Sequence, residues 1–383
     1  MTISGDFTNL GTFAGFNTDI TFNGPQPGIS GNLTGESALG NVTLAPGGDG
    51  TVWHAASAVG DNDSWRDVIY AEGLFVAVGN CTSGQDCIMT SPDGETWTAR
   101  SLGTNNYNWY GVTHGHGQFV VVGSCSGFSG GDACVATSPD GIAWETQTAP
   151  AGVWEAVAFG SGHFVAVGSR TGVMTSPDGI HWTQQSVLGD DDEWGDIIFA
   201  NGLFVATIRE EGGERIMTSP DGFTWSPQSS SGFSNGFLGV AYGNDLYVAV
   251  GYGTNRLSTS PDGIDCATRS VAGDNDSWYD VIYAGGQFVA VGYNGDDRVM
   301  TSSDGINWTT HDALGNNDSW RAVAYGNGRY VAVGFTTGDR AMYSDASDLQ
   351  FYSYSASTSD LRATNGTSTL PREITVGGDV VVD

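Results

Sequence analysis

One unit recurs along most of this chain. Its first half contains the phrase G-x-x-[FY]-V-[AV]-x-x, which begins at seven glycines: Gly73, Gly117, Gly162, Gly202, Gly243 (with a variant spacing), Gly286 and Gly328. Its second half contains the turn S-[PS]-D-G, called the SPDG turn below, with aspartates Asp93, Asp140, Asp178, Asp221, Asp262 and Asp304 at intervals of 38 to 47 residues. Repetition at such a period predicts an architecture in which every copy is one supersecondary element.

Each copy predicts four short strands. The strand signals are W-x-x-V-x-Y, F-V-A-V-G, I-M-T-S and x-T-W-T, and Gly, Asp, Asn and Pro lie between them. Aromatic and β-branched residues favour strands, whereas these other residues favour turns. The chain also contains 58 glycines, which penalise helix interiors. Four strands in each of seven copies predict an all-β fold, a seven-bladed β-propeller.

The last copy predicts how the propeller closes. Its SPDG turn is degraded to Ser344-Asp345-Ala346, and no fourth strand signal follows. Residues 44–53, LAPGGDGTVW, align with IMTSPDGETW, so that Trp53 takes the place of Trp97. We therefore expect an N-terminal strand to close the last blade.

The extended turn S-P-D-G-x-x-W carries a family resemblance. It resembles a shortened Asp-box of the sialidase-like (BNR-type) propeller superfamily, whose usual form has one more residue between Asp and Gly. The resemblance covers residues 49–345 and implies the propeller fold. It does not imply one activity, because that superfamily includes glycosidases, lectins, assembly factors and receptors. The turn itself is a hairpin brace, in which Asp accepts backbone N–H bonds, Gly takes a positive φ and Trp packs underneath.

The repeat sets three predicted segments. Residues 1–45 form an N-terminal β segment, residues 46–345 form the propeller, and residues 346–383 form a C-terminal β segment that packs with the first in one small β module. Alternating β-branched residues with regular glycines indicate the terminal strands. These ends resemble the β-rich repeats of surface-fibre and phage tail-fibre proteins. Because ITVGGDVVV near the C-terminus resembles TISGDFTNL near the N-terminus, strand addition between subunits is a second possible arrangement.

The charge balance excludes two classes of partner. The chain has 13 Arg, no Lys, and 43 Asp and Glu, for a formal net charge of −30. Such a surface repels nucleic acid and anionic lipid, and no apolar run is long enough to cross a membrane. An acidic, Lys-free surface suits salty or calcium-containing surroundings. We expect an extracellular, cell-surface or virion-surface protein.

The five cysteines give a second indication of compartment. Cys81 and Cys87 bracket one loop of the first blade, and Cys125 and Cys134 bracket the equivalent loop of the second. This spacing suits two local disulfides in an oxidising setting, although free buried thiols remain the alternative. Cys266 stands where other blades have the Trp of the turn, and we expect a lone core thiol there.

One repeat position predicts a binding site. The residue after the first-strand aromatic varies in chemistry as Arg66, Tyr110, Glu155, Gly195, Leu238, Tyr279 and Arg321. Ring closure makes Arg66 and Arg321 neighbours near the mouth of the central funnel. Arg binds carboxylates with two parallel hydrogen bonds and aromatic rings cover sugar faces. The predicted ligand-binding residues are Trp65, Arg66, Tyr110, Glu155, Tyr279 and Arg321. For Trp65 the alternative is packing between blades, like the other first-strand tryptophans.

Four loops on the same predicted face are acidic, reading GDNDSW, GDDDEW, GDNDSW and GNNDSW. Closely spaced carboxylates are ligands that calcium prefers. The candidate calcium ligands are Asp61, Asp63, Asp190, Asp192, Asp274, Asp276 and Asp318. The alternative is that these residues cap tight turns, since no bidentate Glu follows at the position a calcium loop requires.

These patterns favour a non-catalytic recognition module that binds a glycan or other receptor on the upper propeller face. The alternative is a structural subunit of an extracellular filament assembled through its β-rich ends. The third hypothesis is a sialidase-like glycosidase. The resemblance would imply an arginine triad and a Tyr nucleophile with a Glu partner, but only Arg66 and Arg321 are in register, and only Tyr110 has such a partner, Glu155.

Overall fold

The computed structural model describes a β-rich chain. Backbone and side chains are described for residues 52–59, 64–80, 87–102, 108–124, 134–185, 193–209, 216–228, 236–253, 256–269, 277–293, 298–314, 319–335 and 340–344. In the terminal segments the backbone of nine strands is described. All regular elements in these ranges are strands, as the repeat predicts.

The described central part contains seven sets of four strands, which we number as blades 1 to 7. Blades 1 to 4 comprise β7 (Ser64–Ala71), β8 (Leu74–Asn80), β9 (Ile88–Ser91), β10 (Thr98–Arg100); β11 (Asn108–Gly115), β12 (Gln118–Ser124), β13 (Val135–Ser138), β14 (Glu145–Gln147); β15 (Trp154–Gly160), β16 (His163–Gly168), β17 (Gly172–Ser176), β18 (Thr183–Gln185); β19 (Trp194–Ala200), β20 (Leu203–Ile208), β21 (Ile216–Ser219) and β22 (Ser226–Gln228). Blades 5 to 7 comprise β23 (Phe237–Gly243), β24 (Leu246–Gly251), β25 (Leu257–Ser260), β26 (Ala267–Arg269); β27 (Ser277–Ala284), β28 (Gln287–Tyr293), β29 (Asp297–Ser302), β30 (Thr309–Asp312); β31 (Ser319–Gly326), β32 (Arg329–Phe335), β33 (Ala341–Ser344) and β6 (Trp53–Ala56).

The seventh blade takes its outer strand from the N-terminal side of the chain. Its strand order is β31-β32-β33-β6, so the strand that begins at Trp53 hydrogen-bonds beside the strand that contains Tyr343. The first strand of this blade also contacts the first strand of blade 1. The other blades are four-stranded meanders, and a single residue pair, Asn108 with Asn80, joins blades 1 and 2 into one sheet. The predicted propeller fold and its closure by an N-terminal strand are confirmed.

The core lies between adjacent blades. One cluster combines Trp65 and Phe75 of blade 1 with Val331 and Val333 of blade 7, across the closure. The first-strand tryptophans are all buried to 1% exposure or less: Trp65, Trp109, Trp154, Trp194, Trp278 and Trp320. Because a fully buried aromatic side chain removes much apolar surface from water, these residues fix the spacing of neighbouring blades.

The SPDG turns join the third and fourth strands at the end of each blade away from the first-strand aromatics. In blade 1, Oδ1 of Asp93 accepts the N–H groups of Glu95 (2.9 Å) and Thr96 (3.0 Å). Nε1 of Trp97 donates to the carbonyl of Gly94 at 3.1 Å, and Gly94 has a φ of 78°. The turn is the hairpin brace that the sequence predicts.

The terminal strands are β1 (Thr2–Ile3), β2 (Phe7–Asn9), β3 (Ile20–Asn23), β4 (Ile29–Gly31), β5 (Val42–Ala45), β34 (Phe351–Ser353), β35 (Leu361–Asn365), β36 (Ile374–Val376) and β37 (Val380–Val382). Strands from both ends form one sheet in the order β1-β3-β5-β35-β36, in which the first four are parallel neighbours. This shared sheet agrees with a small β module formed by both termini.

The chain divides into two compact units. One comprises Met1–Val52, Asn327–Tyr330 and Ser344–Asp383, and the other comprises Trp53–Gly326 and Val331–Tyr343. The predicted segment boundaries at residues 45 and 345 stay predictions. No helix within the described residues has the length and apolarity that a membrane crossing requires.

Three cysteines lie in described ranges. Cys87 and Cys134 are disulfide-bonded, and both precede the third strand of their blade. Their predicted partners, Cys81 and Cys125, lie outside the described residues, so the two pairings stay predictions. Cys266 is a free, half-buried thiol.

Candidate functional site

A repeated irregularity in the first strand positions the candidate site. In six blades the pairing between the first and second strands shifts directly after the first-strand aromatic, as between Trp65 and Asp67 in blade 1. Such a β-bulge leaves the extra residue out of the ladder and turns its side chain in a new direction. The aromatic side chain therefore enters the core between blades, while the next residue lines a central cavity.

The cavity has a volume of about 290 Å³. Its wall contains all seven residues at the variable repeat position: Arg66, Tyr110, Glu155, Gly195, Leu238, Tyr279 and Arg321. The remaining lining residues are Asp67, Ala156, Asp196, Arg209, Asp280 and Ala322. Five of the six predicted ligand-binding residues are thus brought together, and their role in binding stays a prediction.

Trp65 is the exception among the predicted ligand-binding residues. Its side chain has 0% exposure and packs in the core cluster between blades 7 and 1. It does not line the cavity. The prediction that Trp65 contacts a ligand is therefore corrected, because the bulge directs this side chain away from the cavity.

Four consecutive blades form one side of the cavity, with the order Tyr279, Arg321, Arg66, Tyr110. The Arg66 guanidinium carbon lies 5.0 Å from the ring centroid of Tyr110, and that of Arg321 lies 4.8 Å from the ring centroid of Tyr279. The Nε atoms of both arginines are buried and have no hydrogen-bond partner among the residues described. Within the described residues neither guanidinium has an ion-pair partner. We call these four residues the arginine-tyrosine wall.

Burial and the nearby charges shift the pKa values of two residues in this wall. Burial lowers the pKa of Arg321, and the positive charge of Arg66 lowers it further. Burial raises the pKa of Tyr110, and the charge of Arg66 opposes that shift. Two neighbouring guanidiniums that have no acidic partner among the described residues leave this side of the cavity positively charged.

An ion pair lies on another side of the cavity. Arg209 Nη2 lies 3.2 Å from Glu155 Oε2, and the Ser169 hydroxyl donates to Oε1 of the same carboxylate at 3.0 Å. Arg209 was not among the predicted site residues, because it lies after a second strand and not at the variable first-strand position. Arg209 belongs to a second variable repeat position, which directly follows the F-V-A-V-G segment of each copy. The residues at this position are Asn80, Ser124, Ser169, Arg209, Tyr252, Tyr293 and Phe335.

Three carboxylates also line the cavity, and each connects two blades. Asp67 accepts the N–H of Val68 at 2.7 Å and that of Val112 in the next blade at 2.8 Å. Asp196 and Asp280 make the same two bonds, to Ile197 and Val240 and to Val281 and Val323. We call Asp67, Asp196 and Asp280 the aspartate ring.

Burial raises the pKa of every member of the aspartate ring. Burial raises the pKa of Asp67 to about 7. The hydrogen bond from Val112 lowers this pKa, and the negative charge of Asp196 raises it. Burial also raises the pKa of Asp196, and it raises that of Asp280 well above its usual value, with repulsion from Asp196 adding to it. These three residues were not among the predicted site residues, although the pattern aromatic-x-D recurs at each of them.

The predicted calcium ligands, Asp61, Asp63, Asp190, Asp192, Asp274, Asp276 and Asp318, lie outside the described residues. In the part of the chain that is described, no three His, Cys, Asp or Glu side chains form a group that could hold a metal ion. The aspartate ring is therefore not such a group, and calcium in the acidic loops stays a prediction.

Comparisons with known proteins give no family by sequence. No family model matches the chain, and no curated protein matches it. Its likeness to solved structures lies in the fold.

YCF48 from Cyanidioschyzon merolae is 16% identical with a TM-score of 0.57, and the match covers 77% of this chain and 98% of that one. Another structure shows YCF48 bound to a D1 peptide, with 16% identity, a TM-score of 0.59, and coverage of 79% and 98%. Virginiamycin B lyase from Staphylococcus aureus is 8% identical with a TM-score of 0.64, covering 76% of this chain and 97% of that one. The GH74 xyloglucanase from Xanthomonas campestris is 15% identical with a TM-score of 0.56, covering 76% and 55%. The sialidase-like relationship itself stays a prediction, and what these likenesses show is that the chain is a β-propeller.

Proposed function

We propose that this protein is a non-catalytic recognition module that binds a carboxylate-bearing sugar of a glycan in its central cavity. The observation that carries the proposal is the arginine-tyrosine wall, where Arg66 and Arg321 have buried Nε–H groups with no acceptor in the part of the chain that the structure describes. A buried unpaired donor costs on the order of 1–3 kcal/mol, and a bound carboxylate would relieve that cost. Guanidinium groups suit carboxylates because two parallel hydrogen bonds fit the planar fork.

The whole-chain charge supports the same ligand chemistry. The formal net charge is −30, yet three of the 13 arginines line one cavity: Arg66, Arg209 and Arg321. Glu155 pairs with Arg209, which leaves the other two available for an anion. Tyr110 and Tyr279 present aromatic rings beside them, and such rings pack against sugar faces.

The chemistry of the cavity supports binding over glycoside cleavage. A Tyr nucleophile needs a base that takes its proton. Burial raises the pKa of Tyr110, which keeps its phenol protonated, and the Glu155 carboxylate is already bonded to Arg209 and Ser169. A glycosidase remains the third hypothesis, and a chromogenic glycoside assay tests it directly.

The solved structures of like fold are compatible with either kind of function. They include a lyase, a xyloglucanase and YCF48 bound to a peptide. Some propellers therefore bind external ligands. The class of ligand proposed here is argued from the residues of the cavity. An extracellular, cell-surface or virion-surface location is part of the proposal, supported by the acidic composition and by the disulfide-bonded Cys87 and Cys134.

The second candidate function is a structural subunit of a filament. The observation that favours it is the sheet shared by the two termini, whose described strands have β1 at one edge and β36 at the other. Sheet edges accept further strands. Removal of residues 373–383 should then abolish assembly and leave the propeller folded. An unchanged assembly profile in size-exclusion chromatography would remove the basis for this candidate.

A glycan array followed by calorimetry tests the proposed function. The full chain should bind glycans that carry sugar acids, and Arg321→Gln should weaken binding at least tenfold. Arg100→Gln is the matched control, because the Arg100 side chain bonds to Thr90 on the outer strands of blade 1, away from the cavity. The array is repeated with chelator, which tests the calcium proposal separately. Absence of binding to any acidic glycan, or equal loss in both variants, would overturn the proposal.

A further inference from the structure

Two exposed aromatic side chains lie beside the arginine-tyrosine wall. Tyr293 and Phe335 have exposed fractions of 40% and 52%. They occupy the same repeat position in neighbouring blades 6 and 7, at the end of the second strand. In the described part of the chain, five other exposed large apolar side chains directly follow the glycine of an SPDG turn, namely Ile142, Ile180, Phe223, Ile264 and Ile306, and Val52 directly precedes Trp53.

These aromatic side chains are continuous with the cavity. The ring centroids of Tyr279 and Tyr293 are 6.3 Å apart. The Arg321 guanidinium carbon lies 4.8 Å from the Tyr279 centroid and 6.0 Å from that of Phe335. One cation therefore contacts an aromatic ring inside the cavity and another outside it. We call Tyr293 and Phe335 the aromatic platform.

The size of the cavity indicates that a ligand extends onto the platform. A volume of about 290 Å³ is at the lower end of the roughly 300–1,000 Å³ typical of small-molecule pockets. It suits a single sugar residue. Any second residue of a bound glycan must lie outside the cavity, where the aromatic platform is the exposed apolar surface described on the side of Arg321.

The charge of the chain indicates which glycans fit. With a formal net charge of −30, the surface repels a polymer that carries an acid on every residue. The platform adds no cation of its own, and its aromatic faces suit the C–H faces of an uncharged sugar. A ligand with one carboxylate in the cavity and one uncharged sugar beside it carries few charges for the surface to repel, and its uncharged sugar matches the aromatic platform.

We propose that the platform is a second sugar subsite, so that the recognised unit is an acidic sugar joined to an uncharged sugar. The acid occupies the cavity at Arg66 and Arg321, and the neutral sugar stacks on Tyr293 and Phe335. This inference rests on the proposed function of the cavity, and it adds the minimum length and the charge pattern of the ligand.

Calorimetry with paired ligands tests the subsite. The probes are glucuronic acid, galacturonic acid and N-acetylneuraminic acid, each used alone and as a disaccharide with glucose or galactose. At least one disaccharide should bind ten times or more tighter than its free acid, a difference of about 1.4 kcal/mol in binding free energy. Phe335→Ala and Tyr293→Ala should remove that gain, so that each variant binds the disaccharide no tighter than it binds the free acid, while Phe335→Tyr should keep the gain.

Phe223→Ala is the matched control, because Phe223 is similarly exposed, at 48%, on an SPDG turn. Equal affinity for each acid and its disaccharide would overturn the second subsite while leaving the cavity proposal in place. A gain that survives both platform substitutions would also overturn it. If no free acid and no disaccharide binds, the proposed function of the cavity fails together with the subsite.

Discussion

The carboxylate of Asp67 in blade 1 accepts the backbone N–H of Val112 in blade 2 at 2.8 Å. The two residues are 45 positions apart in the chain, and the bond joins neighbouring blades beside the central cavity. Asp196 and Asp280 repeat it toward Val240 and Val323. Blades 1 and 2, 4 and 5, and 6 and 7 are thus linked through ionisable groups, which makes blade packing sensitive to pH.

The first prediction concerns stability against pH. Burial raises the pKa of Asp67 to about 7 in the folded chain, above the usual 3.8. Because the folded state then holds a proton that the unfolded state has lost, this group favours folding below pH 4, and the contribution disappears as the pH rises through 7. Each pKa unit corresponds to about 1.4 kcal/mol. The free energy of unfolding should therefore fall between pH 5 and pH 8 in urea titrations.

Asp67→Asn should flatten this decline, since it removes one titrating group of the aspartate ring. Asp140→Asn is the control. The N–H groups of Ala143 and Ile142 lower the pKa of Asp140, so its contribution to folding is lost only as the pH falls below the usual range of a carboxyl. A slope between pH 5 and pH 8 that is the same in wild type and Asp67→Asn would contradict the assignment.

The second prediction concerns the chemistry of Arg66. Arg66→Lys keeps a positive charge but loses the planar fork and much of the stacking on Tyr110. We expect it to weaken binding of an acidic sugar by roughly tenfold, nearly as much as Arg66→Gln, because both variants lose the pair of parallel hydrogen bonds that a guanidinium makes to a carboxylate. Calorimetry measures the affinities. If Arg66→Lys retains wild-type affinity, the cavity attracts the ligand by charge alone.

The third prediction concerns the SPDG turns. Gly94 and Gly117 both have positive φ, at 78° and 73°. A Cβ on Gly94 would overlap Cγ2 of Val331, whereas a Cβ on Gly117 meets nothing within 4 Å. Gly117→Ala should cost about 1–2 kcal/mol for the backbone conformation alone, and Gly94→Ala about 1–3 kcal/mol more for overpacking. Chemical denaturation gives both values, and equal costs would show that the contact to Val331 relaxes freely.

The fourth prediction concerns blade 5, where Cys266 replaces the tryptophan of the turn. A small cavity lined by Ile216, Tyr247, Gly263 and Cys266, among others, lies at this position. Elsewhere the indole Nε1 donates to the glycine carbonyl of the turn, as from Trp225 to Gly222 at 3.0 Å. Cys266→Trp should fill the cavity, restore that bond and stabilise the chain by about 0.5–2 kcal/mol.

Cys266→Ala is the control for the loss of the thiol, and it should leave the cavity unfilled and the stability at or below that of wild type. The midpoints of urea unfolding compare the three chains. A Cys266→Trp chain that is less stable than Cys266→Ala would show that blade 5 has adapted its packing to the smaller residue, for example around Tyr247.

The architecture and part of the candidate site were predictable because they repeat. Seven copies of one strand pattern predict the blades, and the match of Trp53 to Trp97 predicts the closing strand. Since identical positions in identical blades face the same axis, the variable position from Arg66 to Arg321 predicts the cavity wall. Trp65 was assigned wrongly, because the bulge that separates it from Arg66 has no clear mark in the sequence.

Sequence alone therefore determined the repeated features, namely the strands, the turns, the ring closure and the position that surrounds the axis. Tertiary structure alone decided which side chains meet there: Arg209 with Glu155, 54 residues away, and Arg321 with Tyr279 rather than with an acid. It also decided that burial raises the pKa of each member of the aspartate ring, that of Asp67 to about 7. The physical reason is that a repeat specifies each blade through local contacts, whereas pairing and desolvation at the axis depend on residues that become neighbours only when the ring closes.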